Sequence, residues 1–494
     1  MGRPTTAFSA PGKVLLAGGY LVLDRSYTGL VFGLDARIHV HIETLETSPG
    51  LALSEIIVRS PQFRDAEWRY GYRELENDGG LGVTQLKGRM AAYKRKWFGP
   101  KCGSSSSKES PSQNPLRRQT TSAQSRNKFV ETALDYALTY SSAVGNTKIG
   151  PSSITILADT DYYSHPGPPD KDIVLTSDQF LDFKVPLNKA HKTGLGSSAA
   201  LVTALTTAVV AHYAPAKVAD ARAKQERSRL HNLAQAAHCA AQGKIGSGFD
   251  VAAATFGSCV YKRFSPSVLE ELGEIGTEGF SRRLRSVVED LDPSKRWDTV
   301  IDQSFSPSMP GTLRLMMCDV DCGSETVGMV KRVLSWKKEN PEEALLLWET
   351  LHKGNEDLAA ELHDLASKRV KSHTDYDNLR TIIFTIRSLI REMSAKAAVP
   401  IEPNVQTNLI DACCRLPGIV GGVVPGAGGC DAIALLAENR PDVIDSLRLF
   451  LDNYRIDYKG VQDNRIGRVR LLGVKQEDQG IRVEDGRKYK PWLR

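Results

Sequence analysis

Residues 192–202 read KTGLGSSAALV, and this stretch decides how the rest of the chain is understood. Gly194 and Gly196 allow tight backbone turns and leave no Cβ between the chain and an approaching anion. Ser197 and Ser198 add hydroxyls able to bond a phosphate oxygen or a metal-bound oxygen. Behind them runs ALVTALTTAVVAHY, apolar and rich in small residues, which predicts a buried helix. A glycine-serine loop that opens a helix gathers free N–H groups and the positive end of the helix dipole at one point. Taken alone, the stretch reads equally well as a turn feeding a core helix. Two further segments in the same chain favour the anion site.

The chain has 494 residues, more than one ordinary core can hold, so two or three domains are expected. Its 41% hydrophobic and 25% charged residues are those of a soluble globular protein. No run of eighteen apolar residues predicts a membrane span. MGRPTTAFSAPGK lacks the apolar core of a secretory signal, and PWLR is no peroxisomal tripeptide. Eight cysteines in so long a chain do not form a disulfide framework. Cys318 and Cys322 lie four apart and Cys413 and Cys414 are adjacent, and neither grouping has zinc-ligand spacing. Buried free thiols in a reduced compartment, the cytoplasm, are the expectation.

The net charge of +6 suggests nucleic acid until it is located. Between Lys94 and Lys128 stand nine Lys or Arg against one acid, Glu109, and the remainder of the chain is close to neutral. Serine, proline and glycine dominate this basic segment, which predicts a disordered insertion over about 99–127. A nucleic-acid tether there is the alternative to a solvated spacer.

Strand and helix signals alternate on both sides of the insertion. TTAFSAPGKVLLAGGYLVLD and GLVFGLDARIHVHIETL give a β-rich opening, with Ile38, Val40 and Ile42 alternating with polar residues. FVETALDYALTYSSAV predicts a helix, SSITILAD a strand, and Val218 to about Gln242 a long helix. Periodicity is lost from Leu269 to Pro310, the expected domain junction. A strand, TLRLMMCDV, then opens a second unit, with Asn340 as N-cap and Pro341 at the first position of a long helix. Ile382, Ile383, Ile386, Leu389, Ile390 and Met393 form a core stripe on the next helix. GIVGGVVPG, DAIALLAE and RPDVIDSLRLFLDNY supply two strands and a final helix. The expected class is α+β, in two domains of 1–290 and 305–494.

The two further segments are SAPGKVLLAGGYLVLD, from Ser9 to Asp24, and VVPGAGGCDAIA, from Val423 to Ala434. In the first, Pro11 and Gly12 bend the chain before Lys13; a solvated lysine is the common outcome, but after such a turn in an apolar segment a lysine pointing into a cleft is the expectation. In the second, Gly426, Gly428 and Gly429 permit close approach to something bulky. The three motifs in this order resemble those of the GHMP family of small-molecule kinases. The resemblance implies an N-terminal ribosomal-protein-like β-α domain, a C-terminal ferredoxin-like domain and an active site between them. The chain lacks both GxxxxGK[ST] and the HRD and DFG signatures of protein kinases.

Mevalonate kinases and galactokinases carry Gly-Glu-His in the first motif, where this chain has Gly18, Gly19 and Tyr20. QGKIGSGFDVAAATFGS from Gln242, GSET from Gly323 and IEPNVQTNLID from Ile401 resemble the branch that phosphorylates phosphomevalonate, in its fungal form. The resemblance implies ATP and phosphomevalonate as substrates, with Mg²⁺ accompanying the nucleotide, in isoprenoid and sterol synthesis. It implies Asp250 and Lys13 as catalytic residues, and Lys192, Thr193, Gly194, Leu195, Gly196, Ser197, Ser198, Ala199 and Ala200 around ATP. It implies Tyr20, Lys244, Ser247, Ser324, Gly426, Gly428 and Gly429 around the acceptor, and Ser198 on the metal. A glutamate that some members place eleven residues before the aspartate is Cys239 here, leaving the second metal ligand unassigned. Asp250 could take a proton, pair with Lys13, or merely cap a helix. A mevalonate kinase and a non-catalytic ligand sensor of the same fold are the alternatives.

Overall fold

The computed structural model describes residues 5–47, 53–86, 125–145, 148–164, 179–215, 223–303, 309–321, 328–368, 373–455 and 466–493. Most of the basic insertion, Cys322, Ser324 with the rest of its GSET segment, and residues 218–222 lie outside the described residues.

β1 (Thr6–Ala17) and β2 (Thr28–Thr44) form the antiparallel pair on which the first unit is built. Their register shifts between Pro11 and Gly12. Proline cannot donate to the ladder, and an irregularity of this kind re-aims the next side chain, here Lys13. β3 (Glu55–Arg59), β4 (Glu67–Leu75) and β5 (Gly80–Gln85) extend the sheet beyond β6 (Ser152–Ala158), which itself pairs with β2. Among the described strands of this sheet only β3 and β6 pair in parallel. A short pair, β7 (Tyr163–Ser164) and β8 (His191–Lys192), leads into the phosphate loop.

Three helices pack on the sheet, α1 (Lys128–Gly145), α2 (Ser197–Tyr213) and α4 (Phe249–Phe256), and α3 (Lys224–Gln242) packs on all three. α2 is rich in β-branched residues that favour helix weakly. Burial on every side overrides that preference, and Ala214 before Pro215 ends the helix in extended backbone. β9 (Cys259–Lys262) follows, then α5 (Ser267–Glu270), α6 (Phe280–Glu289) and β10 (Val300–Asp302), which pairs with β9. The expected loss of periodicity from 269 to 310 is thus corrected by α6. Its Phe280, Leu284 and Val288 recur every four residues and are fully buried.

The second unit carries a four-stranded antiparallel sheet in the order β12 (Ile419–Val423), β13 (Ala432–Glu438), β11 (Leu313–Asp321), β14 (Arg468–Leu471). Its helices are α7 (Met329–Glu339), α8 (Pro341–Ser367), α9 (Asp377–Lys396), α10 (Asn404–Cys413) and α11 (Pro441–Asn453). The α9 stripe is core as expected, with Ile383, Ile386 and Met393 buried. Asn340 is the N-cap residue of α8 and Pro341 opens it, as expected, but the Asn340 side chain makes no capping bond: its amide donates to the Trp336 carbonyl at 3.1 Å. Both units mix strands and helices, the α+β class read from the sequence.

The last residues return to the first unit: β15 (Gln476–Glu477) pairs with β2 and β16 (Arg482–Val483) with β1. This return covers the polar alternate residues of β2, so Arg37, His39 and His41 are buried with the apolar ones. The Arg37 guanidinium donates to Ser9 Oγ at 2.7 Å and to the carbonyls of Gln479 and Gly480. His39 bridges Asp159 Oδ1 at 3.1 Å and the Tyr489 hydroxyl at 3.0 Å. Burial alone would raise the Glu484 pKa, but hydrogen bonds from Lys488, Ser9 and Arg482 hold it down to about 2. A carboxylate with a depressed folded pKa stabilises above its unfolded value, near 4.5, and loses that contribution as pH falls toward 2. In urea unfolding, Glu484→Gln is therefore expected to be less stable than wild type at pH 6. The gap should close progressively between about pH 5 and pH 2.

Candidate active site

The phosphate loop is built by what holds its base and what is left free at its tip. Thr193 is buried, its hydroxyl donating to the Asp161 carbonyl at 2.5 Å and its N–H to the Tyr162 carbonyl at 3.2 Å. It therefore anchors the loop and has no spare donor for a phosphate. Leu195 is buried and its carbonyl accepts the Lys13 amide at 2.9 Å, which ties the loop to β1. Gly194 is exposed with open space around it. At the start of α2 no side chain caps the helix and no acid stands in the first turn. The amides of Ser197, Ser198 and Ala199 belong to that uncapped first turn, while Ala200 N–H already bonds Gly196 O at 3.3 Å.

Lys13 leaves β1 at the register shift and lies along this loop, its Nζ 3.4 Å from the Gly194 carbonyl and 5.7 Å from the centre of the Phe249 ring. A Cβ on Gly196, which has φ +80°, would stand 2.9 Å from Lys13 Cε. Glycine here serves both the left-handed backbone and the passage of the lysine stem. Withdrawal from water lowers the Lys13 pKa, and the charge of Asp250 works against that shift. Asp250 stands in the first turn of α4 with Oδ1 accepting from Val251 N at 3.0 Å. Its Oδ2 lies 3.9 Å from Nδ1 of the buried His238, whose Nε2 is 3.1 Å from Ser198 Oγ.

The first and third motifs meet as backbone against backbone. A Cβ on Gly19 would stand 2.5 Å from the Gly426 carbonyl. Gly426 N donates to Leu15 O at 3.3 Å, and the Tyr20 hydroxyl donates to Ala427 O at 2.7 Å. Tyr20 thus closes the seam between the two units, with φ 65° at the entry to a short 3₁₀ turn. Gly428 and Gly429 fold against Ile401, whose carbonyl accepts Gly429 N at 2.9 Å.

The structure brings Lys13, Gly194 to Ala200 and Asp250 into one cluster, as the sequence led us to expect. Lys192, on β8 just before the loop, and Lys244, after α3, are exposed. Ser247 is half-buried and its carbonyl receives the Tyr261 hydroxyl at 2.6 Å. Sequence reasoning missed two residues. Arg263 clamps the GSGFD turn through the carbonyls of Ile245 and Gly246, at 3.1 and 3.0 Å. His238 joins Ser198 to Asp250. It precedes Cys239, so the search for a glutamate ligand stopped one residue away. Cys239 itself is buried, its thiol pKa raised by desolvation and its sulfur bonded by the Gln235 amide.

Residues 173–258 match the GHMP kinases N terminal domain. A phosphomevalonate kinase of Aspergillus fumigatus is 46% identical over 99% of this chain and 98% of its own length. The chain belongs to the phosphomevalonate kinases of the GHMP family. A second relative of that name, from Gibberella zeae, is 44% identical over 99% of both chains. Streptococcus pneumoniae phosphomevalonate kinase, solved in complex with phosphomevalonate and AMPPNP, shares the fold with a TM-score of 0.54. It is 14% identical and the match covers 90% of this chain and 95% of that one.

Among phosphomevalonate kinases the contact between Gly196 and Lys13 gives a direct test in this chain. Gly196→Ala is expected to cost ~1 kcal/mol of backbone strain and to push the lysine aside. Displacing a charged catalytic group by ~1 Å costs about 10²-fold in rate. Turnover in a coupled ADP-release assay should fall by about that factor while the melting temperature drops by only a few degrees. Unchanged turnover would show that the lysine does not depend on this passage.

Proposed function

We propose that this chain catalyses ATP-dependent phosphorylation of 5-phosphomevalonate to 5-diphosphomevalonate, a step toward isoprenoids and sterols. The observation that carries the reading is the cluster of Lys13, the uncapped start of α2 and Asp250 at one point. The names of the fungal relatives supply the acceptor. In this reading the nucleotide phosphates lie on the amides of the α2 first turn and against Gly194. Lys192, Lys244, Ser247 and Gly426 are proposed to meet the incoming acceptor. We also keep the division into an ATP-binding unit of 1–290 and a second unit from 305, with the tail from 476 assigned to the first.

The acceptor is itself a phosphate, whose second pKa of about 6 leaves it mostly ionised at neutral pH. Removing a proton is then a smaller obstacle than bringing two polyanions together, so placed positive charge is the main requirement. Asp250 counteracts the loss of charge that burial imposes on Lys13, and so supports the ammonium form where it is needed.

Mg²⁺ is proposed as the accompanying cation. Among the described residues no group of three or more His, Cys, Asp or Glu could cage a metal. The cluster offers Ser198 Oγ and the Asp250 carboxylate, a sparse oxygen set that suits Mg²⁺, which keeps waters and takes phosphates as ligands. When bound it would neutralise charge on the transferred group. The cytoplasm is proposed as the compartment, in keeping with free and buried Cys239, Cys259, Cys318 and Cys413. No described helix is long and apolar enough to cross a membrane.

A coupled assay with ATP, offering mevalonate and phosphomevalonate in parallel, tests the reading: ADP should be released with phosphomevalonate alone. Turnover confined to mevalonate, or none with either, would overturn it. Asp250→Asn separates charge from base. Turnover at pH 7 should fall by about 10²-fold or more, with little recovery from pH 6 to 8.5. The substrate loses its last proton over that range unaided, but Lys13 gains nothing from it. Recovery to near wild-type rates at pH 8.5 would make Asp250 chiefly a base.

A further inference from the structure

We propose that His238 is a positioning residue that sets the Ser198 hydroxyl and the Asp250 carboxylate relative to one another. The proposal rests on the reading of the α2 start as the nucleotide-phosphate site.

His238 lies in the last turn of α3, its side chain buried beside Phe129 with ring centroids 5.8 Å apart. Its two nitrogens face different partners. Nε2 is 3.1 Å from Ser198 Oγ and 3.2 Å from the amide nitrogen of Gln242, while Nδ1 is 3.9 Å from Asp250 Oδ2. With the Gln242 amide nitrogen turned to the ring, we assign Nε2 as the accepting nitrogen and the ring proton to Nδ1, facing the carboxylate. Ser198 then donates its hydroxyl proton inward to Nε2. Its lone pairs are left pointing away from the ring, toward the side where the α2 amides converge. Asp250 is bounded on both oxygens, by Val251 N at 3.0 Å and by the Nδ1 side of the imidazole.

A histidine that merely fills the core would satisfy itself on backbone or neighbouring polar groups. This one has Nε2 within hydrogen-bond distance of Ser198 Oγ and Gln242, and turns Nδ1 toward the Asp250 carboxylate at 3.9 Å. Outer partners of this kind orient ligands and typically alter affinity or activity by 10–100-fold when removed. The adjacent Cys239 cannot take that part, because its sulfur is buried against Gln235.

Three measurements on the full chain test the assignment. In ¹⁵N-histidine-labelled protein without nucleotide or metal, His238 should show the Nδ1–H tautomer. In His238→Ala, kcat should fall by about 100-fold while the KM for phosphomevalonate stays within about twofold. Mn²⁺ bound with a non-hydrolysable ATP analogue, followed by electron paramagnetic resonance, should weaken by about tenfold. In His238→Gln the side-chain oxygen can accept from Ser198 again, so Mn²⁺ affinity and part of kcat should return. An Nε2–H tautomer, wild-type behaviour of the alanine variant, or equal losses in both variants that follow their melting temperatures would overturn the proposal. Failure of the wild-type protein to bind Mn²⁺ with the analogue, or to turn over phosphomevalonate, would refute the underlying functional reading instead.

Discussion

A 2.9 Å hydrogen bond from the Lys13 amide to the Leu195 carbonyl joins β1 to the phosphate loop, and the arrangement of the site follows from it. The bond forms where the register of β1 has slipped at Pro11, so the lysine side chain leaves the strand toward the loop rather than along the sheet. Gly196 then gives it passage, and Thr193 holds the loop from below with both of its donors. A cation, an uncapped helix start and a carboxylate thereby converge, and among the described residues no acid lies within ion-pair distance of the Lys13 ammonium. The charges remain available to a polyanionic substrate.

Rigidity on the far side of the seam has a different origin. The first and third motifs approach so closely that a side chain at Gly19 would run into the Gly426 carbonyl, and the Tyr20 hydroxyl locks the contact through Ala427. Beneath them, Arg387 bonds Glu402 and Asp411 while Arg391 reaches the same Glu402. Breaking a buried pair of this kind leaves an uncompensated charge at a cost of about 3–5 kcal/mol. The glycine-rich turn that faces the site is thus backed by a network with little freedom to shift.

The C-terminal tail shows how distant chain segments complete the first unit. β2 presents Arg37, His39 and His41 on one face, and these are buried only because residues 476–493 cross over them. Ser9, Asp159, Glu484 and Tyr489 supply the partners that make such burial tolerable. The same strand pair carries Lys13 a few residues away, so the stability of the tail and the placement of this lysine share one scaffold.

Composition, glycine spacing and apolar periodicity were enough to read the α+β class and a glycine-serine loop opening a buried helix, while Lys13 and Asp250 were singled out through the family resemblance. These are local signals: a turn needs its glycines and a core helix its small apolar residues wherever they fold. Other features have no local signature. Helix α6 was hidden because its stripe of Phe280, Leu284 and Val288 is short and set among charged residues. Asn340 obeys the rule for an N-cap, yet its side chain found a nearer carbonyl in the preceding helix. The burial of Arg37 and His39 depends on strands more than four hundred residues away. His238 gains its meaning only when α3 lies beside both α2 and α4, bringing Ser198 and Asp250, 52 positions apart in the chain, to the two nitrogens of one ring. A side chain's partner across the fold is set by packing, which a linear spacing of residues does not encode.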